Sequence, residues 1–203
     1  MSPLPQHAAQ AMFAHLGAVY PMTPGLVSDL KEVVEFSTAK RLEYLLKPGQ
    51  VCDRLYYIHK GLLRCFYELT DEETGQTKEV STWFMRERDT CVSVESYYLG
   101  EPSYEYIQTL EHSELFSIKR EYLEAIFLKH LEFNYIGRVL TIKYLVDWVR
   151  QINGIRKLKV AERYEALRSR DPELLQRVPQ KYLASFLDTT PETIARIRSG
   201  AIN

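Results

Sequence analysis

Side chains that can bind DNA are concentrated near the end of the chain, at helical spacing. They are Gln180, Lys181, Thr190, Glu192, Thr193, Arg196 and Arg198. Arginine can pair with the O6 and N7 atoms of guanine, glutamate can accept from a cytosine amine, and lysine neutralises phosphates. We therefore expect residues 180–198 to form a nucleic-acid interface, in which Glu192 and Arg196 read bases and Lys181 contacts a phosphate.

Two short helices joined by a tight turn must position these side chains. The residues of the two expected apolar faces are Leu183, Ala184 and Leu187 on the first helix, and Ile194 and Ile197 on the second. Thr190 is a suitable N-cap, Pro191 fits the first helical turn, and Asp188 tolerates the positive φ that such turns need. The pattern predicts a helix-turn-helix. An ordinary helical hairpin with solvated arginines is the alternative that it leaves open.

The composition fits a globular protein without a membrane span. The chain has 203 residues, of which 45% are hydrophobic, and no apolar run approaches 18 residues. No secretory signal is visible at the start, and the three cysteines lie far apart in sequence without a C-x-x-C motif. These features predict a cytoplasmic protein with buried, reduced thiols. The five histidines show no metal-ligand spacing, so no metal site is expected.

The charge of the chain is unevenly distributed. The net charge is −1, which by itself does not indicate DNA binding. Residues 156–203, however, contain 10 Lys/Arg and 6 Asp/Glu, whereas residues 1–155 contain 16 and 21. The positive excess therefore falls on the segment in which the DNA interface is expected. It is modest, and two copies of the chain would double the phosphate contacts.

Short strands separated by glycine turns dominate the first half of the chain. Apolar segments near 42–45, 55–58, 62–67, 78–84, 107–110 and 115–118 predict a small antiparallel barrel or jelly roll. Helices are expected before it, over 8–20 and 26–36. The pattern becomes helical after Lys119, and Lys157 to Ser169 is expected to form a polar helix.

A long helix is expected from about Leu131 to Ile155, with two apolar stripes. One stripe consists of Ile136, Leu140, Tyr144 and Trp148. The other consists of Tyr135, Val139, Ile142, Leu145, Val149 and Ile152, at near-heptad spacing. One side can cover the barrel while the second pairs with another copy, and a helix buried within one monomer is the alternative. Asn153-Gly154 is expected to break the helix and form a hinge.

The order of these parts resembles the Crp/Fnr superfamily of bacterial transcription regulators. The fragments that support the resemblance are Leu46-Lys47-Pro48-Gly49, Tyr56 to Gly61, Pro102-Ser103, Leu110-Glu111, Leu115 to Ile118, Glu162-Arg163-Tyr164 and Pro172 to Pro179. The resemblance implies an α+β fold with a double-stranded β-helix (jelly roll), a long dimerisation helix and an all-α helix-turn-helix. The implied domains are residues 1–130, 131–155 and 156–203, and the implied partners are double-stranded DNA, a second copy and RNA polymerase.

Two features depart from the family pattern. Relatives that bind cyclic AMP place a glutamate on the ribose and an arginine on the phosphate, but no arginine occurs between Asp89 and Ile118. Because a buried phosphate needs a cationic partner, we expect no cyclic-nucleotide cofactor. The sequence also ends soon after Ser199, so we expect no β-hairpin wing of the kind that many relatives carry. Another small molecule remains open as an effector, with an expected pocket at Ser93, Glu95, Tyr97, Ser103 and Tyr104. The alternative is that the tyrosines simply fill the roll.

The sequence thus supports two hypotheses, neither of them an enzyme. The first is a homodimeric, sequence-specific transcription regulator that does not respond to cyclic AMP. The second is a β-roll that binds a small molecule or a protein and retains a vestigial helix-turn-helix. Salt-dependent binding to duplex DNA separates them.

Overall fold

The computed structural model describes residues 4–201, which form nine helices and eight strands. The helices are α1 (Gln6–Val19), α2 (Pro24–Val33), α3 (Val94–Leu99), α4 (Arg120–Lys129), α5 (Leu131–Lys157), α6 (Val160–Arg170), α7 (Pro172–Arg177), α8 (Gln180–Phe186) and α9 (Pro191–Arg198). The strands are β1 (Glu35–Ala39), β2 (Tyr44–Leu46), β3 (Arg54–Lys60), β4 (Leu63–Thr70), β5 (Thr77–Met85), β6 (Thr90–Cys91), β7 (Tyr106–Thr109) and β8 (Ser113–Lys119). None of the helices within 4–201 is long and apolar enough to cross a membrane.

The strands form two four-stranded sheets, in the orders β1-β8-β3-β6 and β2-β7-β4-β5. In the first sheet, β8 pairs antiparallel with both β1 and β3, so that Tyr57 lies opposite Phe116. The sheets face each other, since the Sγ atoms of Cys65 in β4 and Cys91 in β6 are 3.8 Å apart. All three thiols are buried and free, as expected from their number and spacing.

A glycine sets the connection between β3 and β4. Gly61 has φ +114°, a conformation that residues with a Cβ rarely adopt. A Cβ at this position would also lie 2.9 Å from the Cα of Ser113. The turn that brings β4 beside β7 therefore requires glycine.

The chain divides into two compact units. The first comprises residues 4–65 and 84–142, and its core includes Ile58, Leu63, Ile107 and Leu115, all with no exposed surface. The second comprises residues 66–83 and 143–201, and combines the outer part of the β4–β5 hairpin with the last part of α5 and helices α6 to α9. Leu183 and Ile194 are the most deeply buried residues of its helical core.

Three local predictions were wrong. Helix α2 ends at Val33, and the residues expected to complete it begin β1, whose Glu35 pairs with Ser117. Helix α5 continues through Asn153-Gly154 to Lys157, so that no hinge occurs there. One glycine costs a long helix only about 1 kcal/mol, which the rest of the helix can offset. The polar helix begins at Val160 rather than at Lys157.

Candidate nucleic-acid interface

Helices α8 and α9 pack together over a small core in the second unit. Leu183 and Ile194 have no exposed surface, Ala184 is 1% exposed and Ile197 is 8% exposed. The Thr189 N–H donates to the Ala184 carbonyl at 2.9 Å, which closes the turn that follows α8. The two apolar faces expected from the sequence are therefore both buried.

The turn between the two helices has the local chemistry that the sequence predicts. Asp188 adopts φ +50°, a left-handed conformation that aspartate tolerates better than most residues. Thr190 is the N-cap of α9, and its Oγ1 accepts a hydrogen bond from the Thr193 N–H at 3.2 Å. Pro191 occupies the first turn of α9, where no backbone N–H is needed. These residues fix where α9 begins and hence which of its side chains face outward.

Three of the expected DNA-binding side chains are exposed and form no side-chain hydrogen bond or ion pair within residues 4–201. Glu192 and Arg196 lie four residues apart on α9, on one face, opposite the buried Ile194 and Ile197. Neither forms an ion pair or side-chain hydrogen bond with any residue in 4–201. Lys181 is exposed on α8, where its Nζ lies 4.5 Å from the centroid of the Tyr182 ring.

The other expected side chains bind groups of the same helical unit. Gln180 donates from its amide to the Pro191 carbonyl and so joins α8 to α9. Thr190 is the cap, and Thr193 Oγ1 lies 3.1 Å from Thr190 Oγ1. Arg198 is exposed but bonded within the unit, since its Nε donates to Tyr164 Oη at 3.2 Å and its Nη2 to the Leu175 carbonyl at 3.0 Å.

Arg163 of α6 connects several parts of this unit, a role that the sequence did not reveal. Its Nη1 donates to the carbonyls of Ile155 and Leu158, at 3.3 and 3.0 Å. Its Nη2 donates to the carbonyls of Leu187 and Asp188, at 2.7 and 3.3 Å. One guanidinium therefore links the end of α5 to the turn that orients α9. In the sequence, the only indication that Arg163 is important was its place in the Glu162-Arg163-Tyr164 fragment, which supports the family resemblance.

Arg163→Ala is expected to reduce the free energy of unfolding by about 1.5–3 kcal/mol, because a charged donor to four carbonyls is lost. Arg163→Lys should recover only part of this, since an ammonium cannot reproduce the planar fork. Arg168→Ala on the same helix is the matched control: its side chain is 62% exposed and pairs with Glu165 at the surface, so a change below about 1 kcal/mol is expected. Denaturant unfolding of the three variants measures these differences, and equal losses for Arg163→Ala and Arg168→Ala would contradict the assigned role.

The residues expected to line a ligand pocket in the roll do not share one cavity wall. Tyr97 is 3% exposed, and its burial raises the pKa of the phenol, whereas Tyr104 is 56% exposed and Glu95 is also exposed. Ser93 and Ser103 are buried and their hydroxyls lie 3.0 Å apart. Their role in ligand binding stays a prediction.

A carboxylate lies beside this serine pair. Ser93 Oγ donates to Glu105 Oε2 at 3.2 Å, and the Ser103 hydroxyl lies 3.0 Å from the Glu105 carbonyl oxygen. The segment between Asp89 and Ile118, which contains these residues, has no lysine or arginine. A small open cavity of about 150 Å³ lies elsewhere in the first unit, along residues 45–56. No group of three potential metal ligands occurs in the part of the chain that the structure describes.

Helix α5 carries an apolar stripe with little cover from its own chain. The residues of the near-heptad stripe are Tyr135, Val139, Ile142, Leu145, Val149 and Ile152. Leu145 is 55% exposed, Ile142 49% and Val149 44%, while Val139 and Ile152 are partly exposed. Tyr135 packs on Tyr20 with their rings 4.9 Å apart.

The other stripe of α5, which runs from Ile136 to Trp148, is covered only in part. Ile136 is buried, but Trp148 is 53% exposed. Exposed apolar area of this extent is unusual on a monomer.

Solved structures of bacterial proteins share this architecture. The c-di-GMP responsive global regulator CLP of Xanthomonas campestris matches with a TM-score of 0.65 and 18% identity, over 88% of this chain and 91% of CLP. FixK2 from Bradyrhizobium japonicum matches with a TM-score of 0.66 and 15% identity, over 83% and 84%. A Eubacterium rectale protein assigned to the Crp/Fnr family matches with a TM-score of 0.66 and 14% identity, over 90% and 87%. The chain has the fold of Crp/Fnr transcription regulators. No protein-family model and no curated protein matches the sequence.

The Crp/Fnr-type fold confirms the mixed helix-and-sheet architecture expected from the sequence, including its two antiparallel sheets. At identities of 14–18%, these matches establish the fold alone.

Proposed function

We propose that this protein is a sequence-specific, DNA-binding transcription regulator of the Crp/Fnr type, that it acts as a homodimer, and that it is not an enzyme. The observation that carries the proposal is the geometry of α9. Ile194 and Ile197 are buried, and the opposite face presents Glu192 and Arg196 without partners in residues 4–201. Both side chains can bond to base edges in the major groove, where the second helix of a helix-turn-helix lies.

Charge supports the same function. Residues 156–203 carry a formal charge of +4, although the whole chain carries −1. Lys181 is exposed near the start of α8, where a cation can contact a phosphate without reading a base. A single copy offers few such contacts, and affinity for DNA then depends on two copies binding together.

Homodimer formation is proposed along α5. A second copy can cover the stripe of Ile142, Leu145 and Val149, because near-heptad spacing places apolar side chains along one seam of paired helices. Two-fold symmetry would present two α9 helices to DNA. The target is therefore expected to be a near-palindrome with half-sites about one helical turn apart.

The proposed regulator does not use cyclic AMP as its effector. We expect no measurable binding of cyclic AMP or cyclic GMP, because the stretch that carries the phosphate-binding arginine in relatives has no arginine or lysine between Asp89 and Ile118 in this chain. Isothermal titration calorimetry of the purified protein measures this directly. A dissociation constant in the micromolar range would contradict the expectation and indicate that a distant basic residue holds the phosphate.

Selection of binding sites from random DNA duplexes tests the proposed function. The wild-type protein is expected to enrich a near-palindromic motif, and its affinity for that motif should fall steeply as salt is added. The logarithm of the association constant should fall with the logarithm of salt concentration by about 0.9 for each phosphate contact. If no duplex is enriched and none binds at low salt, the protein is instead a binding module whose C-terminal helices serve protein contacts.

A further inference from the structure

The outer part of the β4–β5 hairpin is hydrogen-bonded to α8. The Ser81 N–H of β5 donates to Ser185 Oγ at 2.7 Å, and the Ser185 hydroxyl lies 3.0 Å from the Glu79 carbonyl oxygen, to which it can donate. These residues are more than 100 positions apart in sequence, so the contact is tertiary. A second link joins the hairpin to α5, where Gln151 Nε2 donates to the Thr82 carbonyl at 3.1 Å.

This contact occupies the side of α8 that carries Lys181. Residues four apart on a helix lie on the same face, with their Cβ atoms about 5–6 Å apart, and Ser185 follows Lys181 by four. The hairpin backbone is thus seated one helical turn from the proposed phosphate contact. A DNA backbone that approached Lys181 would come close to the hairpin.

The hairpin carries the same sign of charge as DNA. Residues 68–79 contain five carboxylates and a single lysine, Lys78. At the tip, Asp71, Glu72 and Glu73 are all exposed. Asp71 accepts bonds from the backbone N–H and the hydroxyl of Thr74, which lowers the pKa of its carboxyl and keeps it ionised. Glu79, one of these acidic residues, lies at the Ser185 contact itself, so that phosphates near α8 would be repelled while the hairpin is seated.

We propose that the β4–β5 hairpin is an acidic strap, held on α8 by Ser185, that opposes DNA binding until it is released. This inference rests on the proposed DNA-binding function. Two hydrogen bonds between the hairpin and α8 meet at the single hydroxyl of Ser185, and each is of modest net strength, so that this link can be broken and remade. Release uncovers the face of α8 around Lys181 and moves the carboxylates of the tip away from the DNA.

Ser185→Ala is the direct test, because it removes the acceptor of the Ser81 N–H and the donor to Glu79. We expect it to bind the selected duplex about three- to tenfold more tightly than the wild type at low salt. Ser169→Ala is the matched control, since Ser169 is exposed on α6 in the same unit, and its affinity should equal that of the wild type. An unchanged or weaker affinity for Ser185→Ala would overturn the proposal.

Neutralising charge at the hairpin tip provides a second test, on side chains that are exposed. Glu72→Gln with Glu73→Gln should raise DNA affinity in the wild-type background. The same pair should raise it less when Ser185→Ala is also present, because the strap is already released. Full additivity of the two changes would overturn the strap, since it would show that the charges act whether or not Ser185 holds the hairpin.

Hydrogen exchange of the Ser81 amide reports the contact without DNA. Exchange should be faster in Ser185→Ala than in the wild type and unchanged in Ser169→Ala. Equal exchange rates in all three proteins would overturn the contact itself. Faster exchange with unchanged DNA affinity would overturn the strap alone, whereas absence of DNA binding in every variant would overturn the proposed function and the strap with it.

Discussion

Leu145→Glu is expected to convert the protein from dimers to monomers at micromolar concentration. Leu145 is 55% exposed on the isolated chain and lies in the middle of the stripe on α5. In a two-fold symmetric dimer the substitution occurs in both copies. Each copy then loses apolar burial and places a carboxylate in the interface between the two helices. A loss of at least about 3 kcal/mol follows, which corresponds to more than a hundredfold increase in the dimer dissociation constant.

Sedimentation velocity or size-exclusion chromatography with light scattering measures the change. Leu128→Glu is the matched control, because Leu128 is 87% exposed on α4, outside the stripe, and should leave the dimer intact. Circular dichroism of both variants establishes that the fold is retained. A wild-type protein that is monomeric at micromolar concentration would contradict the prediction, and so would equal dissociation of the two variants.

Loss of the dimer should also reduce DNA binding strongly. A dimer loses its translational freedom once when it binds two half-sites. Two separate monomers each lose it, so their combined binding is weaker. The Leu145→Glu variant is therefore expected to bind a single half-site weakly and to lose its preference for the palindrome. Equal affinity of wild type and variant for the full site would show that DNA binding does not depend on dimerisation through α5.

The α8–α9 pair was predictable because its signals are local. The N-cap at Thr190, the proline at 191 and the positive φ at Asp188 act within a few residues of one another, so their spacing in sequence is also their spacing in space. The same holds for the turn at Gly61, where the backbone itself requires glycine. Such local features can be recognised in the sequence without knowledge of the tertiary contacts.

Long-range contacts were not predictable from spacing. Cys65 and Cys91 are 26 residues apart in sequence, yet opposing strands bring their sulfurs within 3.8 Å of each other. Arg163 could not be distinguished from a solvated arginine, because its partners are backbone carbonyls, which carry no sequence signature. The strand β1 was missed for a related reason, as Glu35–Ala39 becomes a strand only by pairing with β8.

Arg198 shows how the fold changes the interpretation of a basic residue. The sequence places it among the DNA-binding residues, but its guanidinium donates to Tyr164 and to the Leu175 carbonyl. Substitution at this position should therefore affect folding stability as well as DNA affinity. The exposed Arg196 has no such partner within residues 4–201, and is the better position at which to test base recognition.

Arg196→Ala is expected to weaken DNA binding by about 1–3 kcal/mol per half-site and to relax the preference at one base pair in each. The guanidinium can bond to guanine O6 and N7 together, and alanine leaves those acceptors unpaired. Because a dimer places two copies on the site, the combined loss should be about 2–6 kcal/mol, which corresponds to roughly thirtyfold up to about ten-thousandfold. Binding-site selection with the variant shows both the lower affinity and the lost base preference.

Lys181→Ala separates base recognition from phosphate attraction. A phosphate contact carries no base information, so this variant should weaken binding to all duplexes about equally and leave the selected motif unchanged. Its salt dependence should be shallower by about one phosphate per copy, whereas Arg196→Ala should change the motif itself. If Arg196→Ala selects the wild-type motif with the same sharpness, another side chain of α9 reads the base. Glu192, one turn earlier on the same exposed face, would then be the next residue to replace, because its carboxylate can accept from a cytosine amine.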